Sequence, residues 1–154
     1  MKVNLENGTF DFIIALPKLD FVGKYSLKIR ILLLDIQGKG DMDGSFENSR
    51  ARVKMLSKKY IKNGQTYIKF EKFNLKIQIG KNRLNLKNLF NGDPNLGTIG
   101  NRFINENSEL FLSELIPGLE KNLAEIFTKT ANEIVENASF DEMFPDIPAS
   151  GQRI

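Results

Sequence analysis

Apolar and polar residues alternate with a period of two from Phe10 to about Leu86, the pattern of half-buried strands. Phe10, Phe12, Ile14 and Leu16 share a face before Pro17. After a turn expected at Pro17-Lys18, the odd positions carry Leu19, Phe21, Tyr25, Leu27, Ile29, Ile31 and Leu33, and the even ones Asp20, Lys24, Ser26, Lys28 and Arg30. The phase reverses near Leu32-Leu33-Leu34. From Asp35 to Glu47 the odd residues are polar, and the even face reads Ile36, Gly38, Gly40, Met42, Gly44 and Phe46. It reverses again before Ala51, Val53 and Met55. A one-residue slip exchanges the faces of a strand, so a bulge or sharp bend is expected at each reversal, and a strongly curved sheet follows. Asn63-Gly64 is the preferred two-residue hairpin turn. The return strand places Tyr67, Phe73, Leu75, Ile77 and Ile79 on one face. Gly80-Lys81-Asn82 reads as a turn into a short strand with Leu84 and Leu86, and Asn91-Gly92-Asp93-Pro94 ends the sheet region over 9–90.

The period then changes to that of a helix. Leu96, Ile99, Phe103 and Ile104 predict a short lead-in helix, and Asn107 to Ser139 reads as one long amphipathic helix, together spanning 95–139. Leu112, Leu115, Ile116, Leu119, Leu123, Ile126, Phe127 and Ile134 fall within an arc of about 120° at 100° per residue. Their burial is worth on the order of 15 kcal/mol at most, so a long apolar surface is expected along this stripe. Pro117-Gly118 interrupts it. Proline removes a donor and crowds the carbonyl of Ser113, which allows either two helices or one kinked helix. The unbroken phase of Ile116 and Leu119 favours the kink. Strands followed by helices make an α+β plan, a long helix against a bent antiparallel meander. The tail 146–154 has no periodicity and is expected to be mobile.

Composition narrows the chemistry. The 154 residues suit a single domain or a large part of one. There is no cysteine and no histidine, which excludes disulfides, thiolate nucleophiles, sulfur-ligated metals and the commonest general base. The net charge of +3 hides an asymmetry: 17 of the 22 basic residues but only 6 of the 19 acidic ones lie between Lys18 and Phe90. The opening residues Met1 to Asn7 have no apolar run, so no signal peptide is expected in them. The glycosylation triplets Asn7-Gly8-Thr9 and Asn137-Ala138-Ser139 matter only in a secreted protein.

Several constellations bear on chemistry. Gly38, Gly40 and Gly44 on one apolar face either permit curvature or leave room for a ligand or the long helix. Asp41-Met42-Asp43-Gly44-Ser45 lacks the glycine and glutamate that a calcium loop needs, since Phe46 and Arg52 stand there. Asp41 and Asp43 read as a solvated strand face. Lys24, Lys28, Arg30, Arg50, Arg52, Lys54, Lys69, Lys72 and Lys76 lack interleaved aromatics, so nucleic acid is not an expected partner. A soluble sheet exterior comes first for them, and weak contact with an anionic membrane second. Periodicity alone does not separate a filled core from an apolar tube.

A resemblance carries further. Leu16-Pro17-Lys18-Leu19-Asp20-Phe21-Val22-Gly23-Lys24-Tyr25, then Gly38-Lys39-Gly40 and Gly44-Ser45-Phe46-Glu47-Asn48, resemble in order the takeout-like, haemolymph juvenile hormone binding protein family of insects. Phe103-Ile104-Asn105-Glu106-Asn107, Glu114-Leu115-Ile116-Pro117, Leu123-Ala124-Glu125-Ile126-Phe127 and Phe140-Asp141-Glu142-Met143-Phe144-Pro145 match most closely. The resemblance implies that residues 1–145 form a partial domain of that family: a long helix wrapped by a highly curved antiparallel sheet, tubular and lipid-binding. The family's two-cysteine N-terminal segment and signal peptide are missing, so the chain reads as the C-terminal two-thirds of the domain. The implied protein is secreted, non-enzymatic, free of metals and cofactors, monomeric, and a carrier of juvenile hormone, a terpenoid or a fatty-acid-like molecule. The expected cavity is lined by Phe21, Tyr25, Leu27, Ile29, Met42, Phe46, Phe73, Leu75, Ile77, Leu115, Leu119, Leu123 and Phe127, with the Tyr25 hydroxyl as its polar contact. The alternatives are a peripheral protein that holds anionic lipid on its basic sheet exterior, and a truncated member that binds nothing.

Overall fold

Five strands and three helices account for most of residues 2–145, which a computed structural model describes. The mobile tail expected over 146–154 falls outside the described residues. In chain order the elements are β1 (Lys2–Asn4), β2 (Thr9–Ile31), β3 (Leu34–Lys62), β4 (Gln65–Gln78), β5 (Lys81–Leu86), a 3-10 turn (Phe90–Gly92), α1 (Pro94–Glu106), α2 (Ser108–Val135) and α3 (Phe140–Met143). The sheet runs β1-β2-β3-β4, and β5 also pairs with β3. It is an antiparallel α+β arrangement. The chain divides into two compact units, a mid-chain unit of residues 15–50 and 77–117 and a terminal unit of the described residues before, between and after these.

Both long hairpins turn on two residues, and one of them is unexpected. Asn63 and Gly64 hold positive φ of 52° and 76° and join β3 to β4, as Asn-Gly should. The phase reversal at Leu32-Leu33, expected as a bulge or bend, is also a chain reversal, with Leu32 at φ 54°. A two-residue turn pairs odd residues of one strand with even residues of the next, so it shifts the apolar parity as a bulge does. The second reversal does lie within β3. Asn48 has φ 52°, and burial passes from the even Ile36 and Gly44 to the odd Ser49, Ala51 and Val53.

Three other expectations are corrected. β2 is continuous through Pro17, where a turn was expected. Gly80 does not reverse the chain, because β4 and β5 both lie along β3, and β5 pairs antiparallel to it from Glu47↔Lys81 to Met42↔Leu86. Gly80 instead lies against the carbonyl of Glu47, and its N–H donates to Ser49 Oγ at 3.1 Å. On β4 the inward face begins with Ile68 and Phe70 rather than Tyr67, and moves to Phe73 and Leu75 across Glu71-Lys72. The chain's own pairing partners, not local periodicity, set these positions.

The mid-chain unit has its core in Ile31, Ile36, Leu84, Leu86, Leu89, Ile104, Phe111 and Leu112. Asp93 caps α1 by accepting from the backbone N–H groups of Asn95 and Leu96, both at 3.0 Å, with Pro94 at the first helical position. Along α1, Asn101 and Asn105 each bind both backbone groups of one residue of β5. Leu86 N–H donates to Asn101 Oδ1 at 2.8 Å and Asn101 Nδ2 to the Leu86 carbonyl at 2.8 Å; the same exchange joins Asn105 and Leu84 at 2.9 and 2.7 Å. Helix residues four apart rise about 6 Å and strand residues two apart about 6.7 Å, so the two ladders match. The free edge of β5 is thereby closed.

In the terminal unit, Asn132 of α2 makes the same double bond to Phe70 of β4, at 2.8 and 2.9 Å. Phe10, Val53, Ile68, Phe70, Phe73, Leu75, Val135 and Phe140 are buried there. The Phe70 ring stands edge-on to Phe10 and Phe73 at 5.8 and 5.7 Å. Ser139 caps α3 through a reciprocal pair with Glu142.

Helix α2 is one 28-residue helix that contains Pro117, but its apolar stripe is only partly covered. Phe111, Leu112 and Val135 are buried, whereas Leu115, Leu119, Ile126, Phe127 and Ile134 are exposed. Between residues 120 and 135 the inward side carries Glu120, Ala124, Thr128, Ala131, Asn132 and Val135, at about 80–200° around the axis from Leu112. The Asn132 bonds to Phe70 and the 2.9 Å pair of Glu120 with Lys76 of β4 fix that rotation. Small side chains at Ala124 and Ala131 allow the close approach.

Three carboxylates gain hydrogen bonds that favour their charged form. Hydrogen bonds from Arg52 lower the pKa of Asp11, those from Arg30 lower that of Asp35, and the Ser139 backbone and hydroxyl lower that of Glu142. Groups with lowered folded values stabilise above their unfolded pKa and lose that contribution as pH falls through the folded one. The urea midpoint is therefore expected to stay level from neutral pH down to the ordinary carboxylate values of 3.8 and 4.5, and to drop below them. In Arg30→Gln/Arg52→Gln the neutral plateau is lower and the acid decline shallower. An unchanged decline in that variant refutes the assignment.

Candidate ligand-binding site

Alternation along β2 and β3 brings six of the expected cavity residues together in the mid-chain unit. Phe21, Tyr25, Leu27 and Ile29 of β2 and Met42 and Phe46 of β3 pack, half-buried, on the Ile36–Leu84–Ile104 core, with Phe103 of α1 and Ile116 of α2. The Phe21 and Phe46 rings lie 4.8 Å apart. The Tyr25 hydroxyl donates to the Lys87 carbonyl at 2.6 Å. Burial pushes the Tyr25 phenol above its ordinary pKa, so it stays neutral at physiological pH. A donating hydroxyl keeps an oxygen lone pair with which to accept.

The glycines serve this packing. A Cβ on Gly38 would stand 2.8 Å from the Tyr25 hydroxyl and 3.0 Å from Leu89 Cα, and one on Gly40 2.6 Å from the Lys87 carbonyl. A Cβ on Gly44 would meet the Arg83 carbonyl and, at 2.6 Å, the Phe21 ring. The space beside Gly38, Gly40 and Gly44 is thus occupied by the chain's own aromatic rings and by the strand and turn that follow Gly80.

The remaining expected residues have other surroundings. Ile77 is half-buried in the mid-chain unit, and Leu115 is exposed on α2. In the terminal unit Phe73 and Leu75 are buried, Leu123 is half-buried, and Leu119 and Phe127 are exposed.

Sequence reasoning missed a cavity of about 260 Å³ in the terminal unit. Phe10, Ile68 and Phe140 line it together with residues 5–8 and Ser57, Lys58 and Lys59. Lys59 Nζ stands 4.2 Å from the centre of the Phe140 ring, and the Ser57 N–H donates to the Gly8 carbonyl at 2.8 Å. Four separate stretches of chain meet here, so no local pattern marks it. Phe10, on the apolar face of the first long strand, and Phe140, at the head of the motif Phe140 to Pro145, were visible separately, with nothing to bring them together.

Comparison with known proteins now decides the family. The model of the haemolymph juvenile hormone binding protein family matches residues 1–145. The chain belongs to that family. It is 22% identical over 129 residues to the circadian clock-controlled protein daywake of Drosophila melanogaster, across 83% of this chain and 50% of daywake. The crystal structure of Epiphyas postvittana Takeout 1 superimposes with a TM-score of 0.80 at 21% identity, over 90% of this chain and 65% of that one. The chain thus spans about half the length of daywake and about two-thirds of Takeout 1. The likeness to Takeout 1 fixes the fold as the curved antiparallel sheet with a C-terminal helix expected of a juvenile hormone binding protein.

Proposed function

We propose that this protein carries a small lipophilic molecule of the juvenile hormone, terpenoid or fatty-acid class, outside the cell and without catalysis. Membership of a family of haemolymph binding proteins supports the class. The observation that carries the reading is the cluster of Phe21, Tyr25, Leu27, Ile29, Met42 and Phe46, apolar side chains that pack on a core yet remain half open. Ligand sites are mostly apolar, with a few polar groups that orient the guest. Here the Tyr25 hydroxyl, whose own proton is donated to the Lys87 carbonyl, offers an oxygen lone pair to a ligand that brings a donor, such as a terpenoid hydroxyl or a protonated acid. Leu115 of α2, exposed in the same unit, adds to the apolar surface offered.

Displacement of a fluorescent fatty acid tests this. The protein is expected to bind the probe saturably. Phe46→Ala, with the fold checked by circular dichroism, is expected to weaken binding by roughly tenfold or more, the equivalent of losing about 1.5–3 kcal/mol of apolar contact. No saturable binding by folded protein ends the carrier reading.

A further inference from the structure

The two hairpins have turns of the same length and opposite chemistry. Asn63-Gly64 puts at positive φ the residue types that tolerate it, whereas the β2–β3 turn puts Leu32 there at φ 54°. Neither leucine gains burial in return, since Leu32 is 65% exposed and Leu33 98%. Packing inside the protein therefore does not account for two leucines at this tip. Below them Arg30 is held by Asp35 through two hydrogen bonds of 2.7 and 2.8 Å. Lys28, four residues back along β2 from Leu32, is exposed, at about 13 Å along the strand. Residues 24–39 carry four basic side chains, Lys24, Lys28, Arg30 and Lys39, against the single acidic Asp35.

We propose that the Leu32-Leu33 tip enters the boundary between headgroups and acyl chains of an anionic membrane. A protein partner would need to cover about 800 Å² on each side, far more than two side chains on a convex turn provide. A bilayer accepts such a tip without a complementary pocket. Insertion is shallow, because the polar backbone of the turn must stay near water. The basic hairpin behind the tip faces the headgroups, where each lysine adds attraction that salt weakens. The contact goes beyond carriage: it places the protein where a lipophilic guest enters or leaves the lipid.

Sedimentation of the full chain with vesicles of phosphatidylcholine and phosphatidylserine tests this. The protein is expected to bind, less so at high salt and on phosphatidylcholine alone. In Leu32→Asn/Leu33→Gly the other turn is grafted onto this hairpin, which relieves the positive φ and raises Tm. Vesicle binding is expected to fall about tenfold or more, while fatty-acid displacement without vesicles is unchanged. The chain has no tryptophan, so Leu33→Trp reports on the tip alone; its emission is expected to shift to the blue with vesicles and to be quenched by brominated lipid. The inference is overturned if the wild type ignores vesicles, if the grafted variant binds them as well as the wild type, or if the tryptophan emission of Leu33→Trp stays that of solvent. It is equally overturned if the graft changes only a monomer–dimer equilibrium, which would assign the tip to a second copy of the chain. Because ligand displacement is read without vesicles, its failure is separate from that of the membrane contact.

Discussion

Replacing Asn101 and Asn105 together with leucine is expected to cost about 4 kcal/mol of folding stability and to make the protein prone to aggregation. Leucine matches the number and branching of the heavy atoms of asparagine, though it is bulkier, and leaves the N–H and C=O of Leu84 and of Leu86 without partners. Each unsatisfied, partly buried group costs about 1–3 kcal/mol, and water recovers part of this at a strand edge. A domain stable by about 5–15 kcal/mol then has little in reserve, and β5 presents an unpaired edge. Urea denaturation measures the first effect and light scattering at the unfolding midpoint the second. A double variant within about 1 kcal/mol of the wild type would show that water replaces the asparagines at no cost.

Gly44→Ala is expected to cost about 3 kcal/mol, through overpacking rather than loss of flexibility. Gly44 pairs with Leu84 across β3 and β5. Leu84 turns its backbone groups outward to Asn105, so the Gly44–Leu84 pair is the narrow, non-hydrogen-bonded kind. An added methyl meets the Arg83 carbonyl and the Phe21 ring together, and neither yields without moving a strand or opening the Phe21–Phe46 contact. The denaturation midpoint and fatty-acid affinity should therefore fall together. Unchanged stability with lost affinity would mean that the glycine keeps space for the guest and not for the chain.

Both effects involve the two kinds of residue whose roles the sequence hid. Asparagine in a helix reads as a weak helix former that favours caps and turns, and nothing local to Asn101, Asn105 or Asn132 shows that a strand edge lies opposite. Asn105 stood inside the Phe103 to Asn107 motif without a physical reason; its two bonds to Leu84 supply one. Glycines on an apolar face fit curvature, a guest or a close neighbour equally well, and only the positions of Tyr25, Phe21 and the segment after Gly80 separate these readings.

The candidate site was legible where one period ran uninterrupted. Alternation alone grouped Phe21, Tyr25, Leu27 and Ile29, and likewise Met42 and Phe46, and the six meet on one core. It was less legible on α2, where a stripe about 120° wide gives the apolar side but not the rotation adopted. Two polar anchors, Asn132 and Glu120, set that rotation. The cavity beside Phe140 was invisible, because four stretches distant in sequence build it.

By itself, the sequence determined the order of strands followed by helices, the Asn63-Gly64 hairpin and the continuity of α2 through Pro117, because each follows from steric and periodic preferences within a few residues. Tertiary structure alone decided that Leu32-Leu33 reverses the chain while Gly80 does not. A bulge and a two-residue turn shift parity alike, and only the strand that pairs alongside tells them apart. It also decided which edges the asparagines close and which leucines of α2 stay in water, since those outcomes rest on contacts between residues tens of positions apart.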